Sequence, residues 1–236
     1  MANLKKRSEV PEKMDDPSVP EGDIRQALRE IELLNKWLGG YKVVIGALNR
    51  ITWPKEPIVV IMDLGSGGGD LLRAISEWAE RKQRRVRLVG VDMNAAMTRY
   101  AGNRSLKYPA ISFRTADVFD PALLADAPHI AMCSLFAHHF DKTELVRLVQ
   151  QMVLLARCSV IINDLHRHPV AYHSIKTLTS LFSRTYLVKY DAPLSVARSL
   201  NRAEWKEVLK AAGVTNYSIR WRWAWRWEII IEKQHV

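Results

Sequence analysis

Near the start of the chain the apolar positions fall at helical spacing. Ile24, Ala27, Leu28, Ile31, Leu34 and Leu38 recur along one face, which predicts an amphipathic helix over residues 21–38 ended by Gly39-Gly40. A shorter second helix is predicted from Tyr41 to about Ile51, before Trp53-Pro54 and Pro57 force an extended chain. Beyond Pro57 the period changes. Apolar runs of strand length at 58–64, 86–91, 111–113, 129–135 and 160–162 alternate with helical stretches near 71–81, 95–104 and 143–156. The last of these carries Leu145, Leu148, Val149, Met152 and Leu155 on one face. Such alternation predicts an α/β fold, a parallel sheet with helices on both faces. Right-handed crossovers then put any ligand beyond the carboxyl ends of the strands, beside the first one.

Residues 165–200 break this rhythm with irregular helical character, and a segment of that length predicts an inserted lid over the crevice. Tyr172, Phe182 and Tyr186 are its candidates for an aromatic wall. Asn201, with Glu204 three residues later, has the pattern of a capping box, opening a helix that ends at Gly213. Residues 214–233 are rich in strand formers and predict a hairpin. The charged, proline-bearing stretch 1–20 predicts a mobile tail without the apolar core of a signal peptide. Residues 21–56 then form an N-terminal helical cap and residues 57–236 the main domain.

Composition narrows the class. In 236 residues, 48% are hydrophobic, enough for one well-buried domain and too many for a disordered chain. No uncharged apolar run approaches the ~20 residues of a membrane span. The two cysteines, Cys133 and Cys158, both lie in apolar runs, so a disulfide scaffold is disfavoured and a reducing cytoplasmic setting is expected. The formal charge of +10 raises the prospect of nucleic acid. Much of it, however, sits in residues 81–87, where a solvated helix end explains it, and in the alternating stretch 217–227. Period-two alternation there predicts a half-buried strand with packed tryptophans, and lipid contact is a further account of them.

The stretch richest in chemistry is residues 58–70, a buried strand entering a glycine turn and then a helix. Glycines fold the backbone tightly and let a ligand approach it closely. A dinucleotide fingerprint needs a glycine where Asp70 stands, and no Gly-Lys-Ser/Thr succeeds the turn to make a phosphate loop. The pattern left is Asp63-x-Gly65-x-Gly67-x-Gly69, with an acid inside the end of the strand.

With Asp92 ending the second strand and Ala116-Asp117-Val118 after the third, this pattern resembles the class I S-adenosylmethionine-dependent methyltransferases. The resemblance covers residues 57–233 and implies a Rossmann-like, seven-stranded, mostly parallel sheet with an antiparallel C-terminal strand. It implies S-adenosyl-L-methionine as cofactor and S-adenosyl-L-homocysteine as product. Asp63, Gly65, Ser66, Gly67 and Gly69 correspond to the glycine turn of the cofactor site. Asp92, with Met93 beside it, corresponds to the acid that takes both ribose hydroxyls; a carboxylate can accept two hydrogen bonds from a diol. Asp117 and the Val118 N–H correspond to the adenine site. Cys133 and Ser134 fall where the family's backbone faces the methionine moiety.

The segment after the fourth strand bears on the acceptor. Residues 134–140 contain no Asn/Asp-Pro-Pro-Tyr/Phe, the mark of the family's adenine and amide N-methyltransferases. Leu135-Phe136-Ala137-His138-His139-Phe140 is similar instead to small-molecule members with a Leu-His-His-Leu or Leu-His-Asp-Trp sequence here. In the latter the first His is the base, which implies His138, with His139 second. Asp164 and His166, after the fifth strand, are candidates to orient a hydroxyl or a base. The expected partner is a small, aromatic or polyketide-like methyl acceptor, methylated at oxygen. Carbon methylation of a quinone-like ring, RNA methylation and a noncatalytic binding role are the alternatives. Nucleic acid is disfavoured, no metal is expected, peripheral membrane contact stays open, and so does monomer against homodimer.

Overall fold

Seven strands form in the computed structural model of the protein, which describes residues 4–233: β1 (Val59–Leu64), β2 (Val86–Asp92), β3 (Ile111–Thr115), β4 (Ile130–Ser134), β5 (Ser159–Leu165), β6 (Tyr217–Arg222) and β7 (Arg226–Glu232). They pair in the order β3-β2-β1-β4-β5-β7-β6. β1 to β5 are parallel, and β7 inserts antiparallel between β5 and β6. The order reverses between β1 and β4, which is the switch point where an open sheet of this kind receives its ligand.

The sheet's two faces explain why its strands are apolar throughout. Val60, Met62 and Leu64 join α5 (Lys142–Leu155) and α8 (Arg202–Ala211) in one core, while Val59 and Ile61 join α2 (Gly40–Leu48) and α3 (Asp70–Arg81) in the other. Successive side chains point to opposite faces, so a strand covered on both sides needs apolar residues at every position. Helix α4 (Ala95–Arg104) opens at Asn94, whose side chain accepts from the N–H groups of Ala96 and Met97. The predicted capping box is present at Asn201 and Glu204, and Asp141 with Glu144 forms another at the start of α5.

A third core joins α1 (Glu21–Trp37), α4 and the lid. The lid consists of α6 (Pro169–Phe182) and α7 (Tyr186–Arg198), and Ile24, Ala27 and Leu28 of α1 pack with Leu187 and Val188 of α7. Met14 belongs to this core, which corrects the expectation of a mobile tail. A 3₁₀ turn at Lys13–Asp15 is fixed by Asp191, whose two oxygens accept from the N–H groups of Lys13 (2.9 Å) and Met14 (3.0 Å). Arg7 donates to the carbonyl of His138 at 2.7 Å. The first three residues of the expected tail lie outside the described residues.

The tryptophan-rich hairpin departs in part from the expected packing. Trp227 is buried on β7 and donates to the Leu200 carbonyl at 3.0 Å, whereas Trp221 and Trp223 are 47% and 66% exposed. Trp221 lies on β6, the edge strand, and Trp223 in the turn after it, against the Trp225 ring at 5.5 Å. Both cysteines are free and buried, and among the described residues no helix is long and apolar enough to cross a membrane.

Candidate functional site: one cavity with two chemically different ends

The carboxyl ends of the strands open into a cavity of about 1360 Å³, closed over by α1, the 3₁₀ turn and the lid. Pockets for one small ligand commonly measure ~300–1,000 Å³. This one has room for two.

At one end stands the glycine turn. Gly65 and Gly69 have φ of 72° and 69°, a conformation that side chains disfavour. A Cβ on Gly65 would lie 2.2 Å from the Phe136 ring, and one on Gly69 would lie 2.5 Å from Phe113. The turn is therefore held tight from behind, and Gly65, Ser66 and Gly67 form the cavity wall while Gly69 stands outside it. Asp92 is 9% exposed, and its two oxygens accept from the N–H groups of Gly67 and Asn94, each at 2.9 Å. A carboxylate has about four acceptor positions, so capacity remains for a diol. Burial raises the pKa of Asp92, and the two backbone donors oppose the rise.

Asp63 is different. It is 2% exposed, lines the cavity, and its Oδ1 has no hydrogen-bond partner among the described residues. Burial first, then the charges of Asp70 and Asp92, push its pKa well above the usual carboxylate range. A buried acid held this way favours a cationic donor from the cavity. Its neighbour Asp70 accepts from the Tyr41 hydroxyl at 2.7 Å. Asp117 and Val118 line the next stretch of wall, Asp117 also accepting from the Phe119 N–H at 2.9 Å. Met93, 78% exposed, lies at the rim.

The other end holds the histidines. His138 is 2% exposed, and Asp164 grips it twice, at Nδ1 (2.7 Å) and through its backbone N–H (2.9 Å). On the opposite edge, Nε2 lies 3.3 Å from Oε1 of Glu12. Burial works against the charged ring, but Asp164 and then Glu12 outweigh it and bring the pKa up to about 10. Glu12 is correspondingly held down at about 2, because its bonds to His138 and Ser195 overcome desolvation. At neutral pH this is a buried imidazolium between two carboxylates, so in this arrangement His138 has no free lone pair with which to act as the expected base.

His139 stacks on His138 with ring centres 4.6 Å apart. Its Nδ1 faces Asp15 at 2.9 Å, and its Nε2 is 3.8 Å from Glu12, outside hydrogen-bond range. Ligand atoms of Glu12, His138 and His139 lie within 4.8 Å of one another, a spacing that could hold a metal ion. The close Glu12–His138 ion pair uses the same atoms.

Several expected site residues lie elsewhere. Cys133 is 0% exposed in the core between sheet and α5, and it is absent from the cavity wall that Ser134 joins. His166 packs against Trp227 with ring centres 4.6 Å apart, also off the wall; burial, then His168 and Arg167, lower its pKa to about 4. Tyr172, Phe182 and Tyr186 do not line the cavity; Ala171, Ile175 and Leu178 of α6 do. Glu12, Asp15 and Arg226 carry no motif, and only the folded chain brings them to the wall.

The comparisons agree with this architecture. Residues 61–158 match the family model described as a methyltransferase domain. No curated protein matches the chain. Among solved structures, human N-acetylserotonin methyltransferase in complex with S-adenosylmethionine is similar at 15% identity and a TM-score of 0.66, covering 97% of this chain and 64% of that one. The CMeT domain of the citrinin polyketide synthase is similar at 16% identity and a TM-score of 0.57, covering 80% of this chain and 49% of that one. The CurJ carbon methyltransferase is similar at 17% identity and 0.55, over 80% and 51%. This chain thus spans about half the length of the polyketide-synthase and CurJ structures it matches. At such identities the neighbours speak for the fold alone; residues 61–158 match a methyltransferase domain, and the whole is consistent with a class I S-adenosylmethionine-dependent methyltransferase.

Proposed function

We propose that the protein transfers a methyl group from S-adenosylmethionine to a small, largely apolar molecule, at an oxygen atom. The observation that carries this is one large cavity that joins the acid-ended strands at the glycine turn to apolar residues of the lid. Asp63, with an unpartnered oxygen, suits the ammonium of the cofactor's amino acid, and Asp92 suits its ribose diol. Asp117 and Val118 would hold the adenine edge. When bound, the cofactor supplies a sulfonium-activated methyl group. Ile31 of α1, with Ile175, Leu178 and Val196 of the lid, supplies apolar wall beyond the glycine turn.

Methyl transfer needs its nucleophile in line with the breaking bond, and a closed wall that fixes the acceptor supplies much of that. A phenol, with a pKa of about 10, is mostly protonated at neutral pH, and a positioned base contributes ~10²–10⁴-fold. We assign the base to His139, which lines the cavity with Nδ1 anchored on Asp15 and Nε2 beyond hydrogen-bond reach of Glu12 at 3.8 Å. His138 is its positioning neighbour, a fixed cation beneath the stacked ring. RNA as acceptor is disfavoured, because none of residues 81–87 lines the cavity.

The test is a mass-spectrometric screen of phenols and hydroxylated polyketides for a one-methylene gain, dependent on S-adenosylmethionine. His139→Gln should lower kcat on any acceptor found, by about 10²-fold, and flatten its pH profile. Full turnover in that variant across neutral pH would remove the base assignment.

A further inference from the structure

Beyond β5, one residue of the cavity wall is a buried cation. Arg226 opens β7 directly after the hairpin turn, paired with Leu165 at the end of β5, and it lines the cavity. It is 2% exposed. Of its guanidinium nitrogens, Nη2 donates to Oδ1 of Asn35 at a long 3.4 Å, while Nε and Nη1 have no partner among the described residues. A guanidinium is strongly unfavourable away from water without acceptors, and it forms a planar fork matched to a carboxylate. Arg226 has no carboxylate in contact among the described residues, unlike Arg50, Arg167 and Arg222, each of which pairs with a glutamate.

One side of the fork is close-packed, and the residue otherwise belongs to the cavity wall. Gly40 stands against the fork, where even a Cβ would come within 3.2 Å of Nη2. Burial lowers the arginine's pKa to about 10, against the opposing influence of Asp164 and Tyr41. Asp63 stands on β1 and Arg226 on β7, with β4 and β5 between them in the sheet, so the two unpartnered groups belong to separate parts of the cavity.

We infer that Arg226 is the anchor for a carboxylate carried by the methyl acceptor, so that the substrate class is an apolar molecule bearing an acid group. This rests on the proposed methyl transfer and specifies its acceptor. The acid would be held by the Nε and Nη1 edge of Arg226, while the apolar body spans the lid-covered wall toward His139.

The experiment uses the full chain saturated with S-adenosylhomocysteine and titrates biphenylcarboxylate and biphenylcarboxamide by calorimetry. The wild type should prefer the acid by about tenfold or more, as a charge-assisted pair implies. Arg226→Met should abolish that preference, and Arg226→Lys should restore part of it, with S-adenosylhomocysteine affinity unchanged in both. Equal binding of acid and amide by the wild type, or no saturable binding of the acid, overturns the assignment. So does a preference that survives Arg226→Met. A fall in S-adenosylhomocysteine affinity in Arg226→Met would transfer the arginine to the cofactor's own carboxylate and overturn it too. If the wild type fails to bind S-adenosylhomocysteine at all, it is the methyltransfer proposal that fails.

Discussion

The two ends of the cavity use buried carboxylates in opposite ways. Around the glycine turn, Asp63 is left with an unpartnered oxygen and Asp92 is held by backbone donors alone, so both keep capacity for a ligand. Around the histidines, Glu12 and Asp164 spend theirs on His138. A buried acid left without a partner costs stability unless something binds to it, whereas a closed pair fixes geometry without needing a ligand. The first arrangement is a receptor and the second a clamp. His138, which has the sequence context of a base, is the centre of that clamp.

Mutations that act on the backbone of the receptor should have the largest effect. Gly65→Val puts a side chain 2.2 Å from the Phe136 ring at a positive φ and should cost about 3–5 kcal/mol in urea unfolding, with loss of binding. A cost under about 1 kcal/mol would mean the turn is not held from behind. Next is the clamp. Asp164→Asn removes the largest influence raising the pKa of His138, and breaking a buried pair should cost about 3 kcal/mol, with the His138 titration moving down in an NMR pH series. Glu12→Gln should shift that titration by less and cost about 1–2 kcal/mol, because it removes the weaker partner.

The pH dependence has a definite sign on each side. Glu12 has a lowered pKa, so its contribution is present above the ordinary glutamate range and is lost as pH falls toward about 2. His138 has a raised pKa, so its contribution is complete below the ordinary histidine value and is lost as pH rises toward about 10. Glu12→Gln should remove the Glu12 share of the acid limb and weaken the alkaline one, seen as Tm against pH. The smallest effect is expected outside the cavity. Replacing the exposed Arg81, Lys82 and Arg85 by Ala should change stability by less than ~0.5 kcal/mol and leave cofactor affinity alone. A change in affinity there would reopen a role for the basic run.

The receptor was readable from sequence because its parts are local. Asp63 precedes its own turn by two residues, the turn requires glycine, and Asp92 ends a strand that period and burial both mark. The clamp was not, since its pieces come from distant segments: Glu12 from a proline-spaced, charged stretch and Asp164 from the end of β5. Residues 4–20 carry too few apolar positions to predict docking, and their order depends on Met14 and on Asp191 capping the 3₁₀ turn. Arg226 was hidden for another reason. In an alternating stretch of Arg and Trp every basic residue looks alike, and only the fold buries Arg226 on β7 beside β5 while Trp221 on the edge strand and Trp223 in the turn stay exposed.

The separation of receptor from clamp is tested most directly by the calorimetric affinity of S-adenosylhomocysteine for the wild type, Asp92→Ala and Glu12→Gln. The expected result is saturable one-to-one binding to the wild type, a loss of about 10²-fold in Asp92→Ala, and less than about a threefold change in Glu12→Gln. No binding to the wild type, or equal losses in the two variants, would contradict the account.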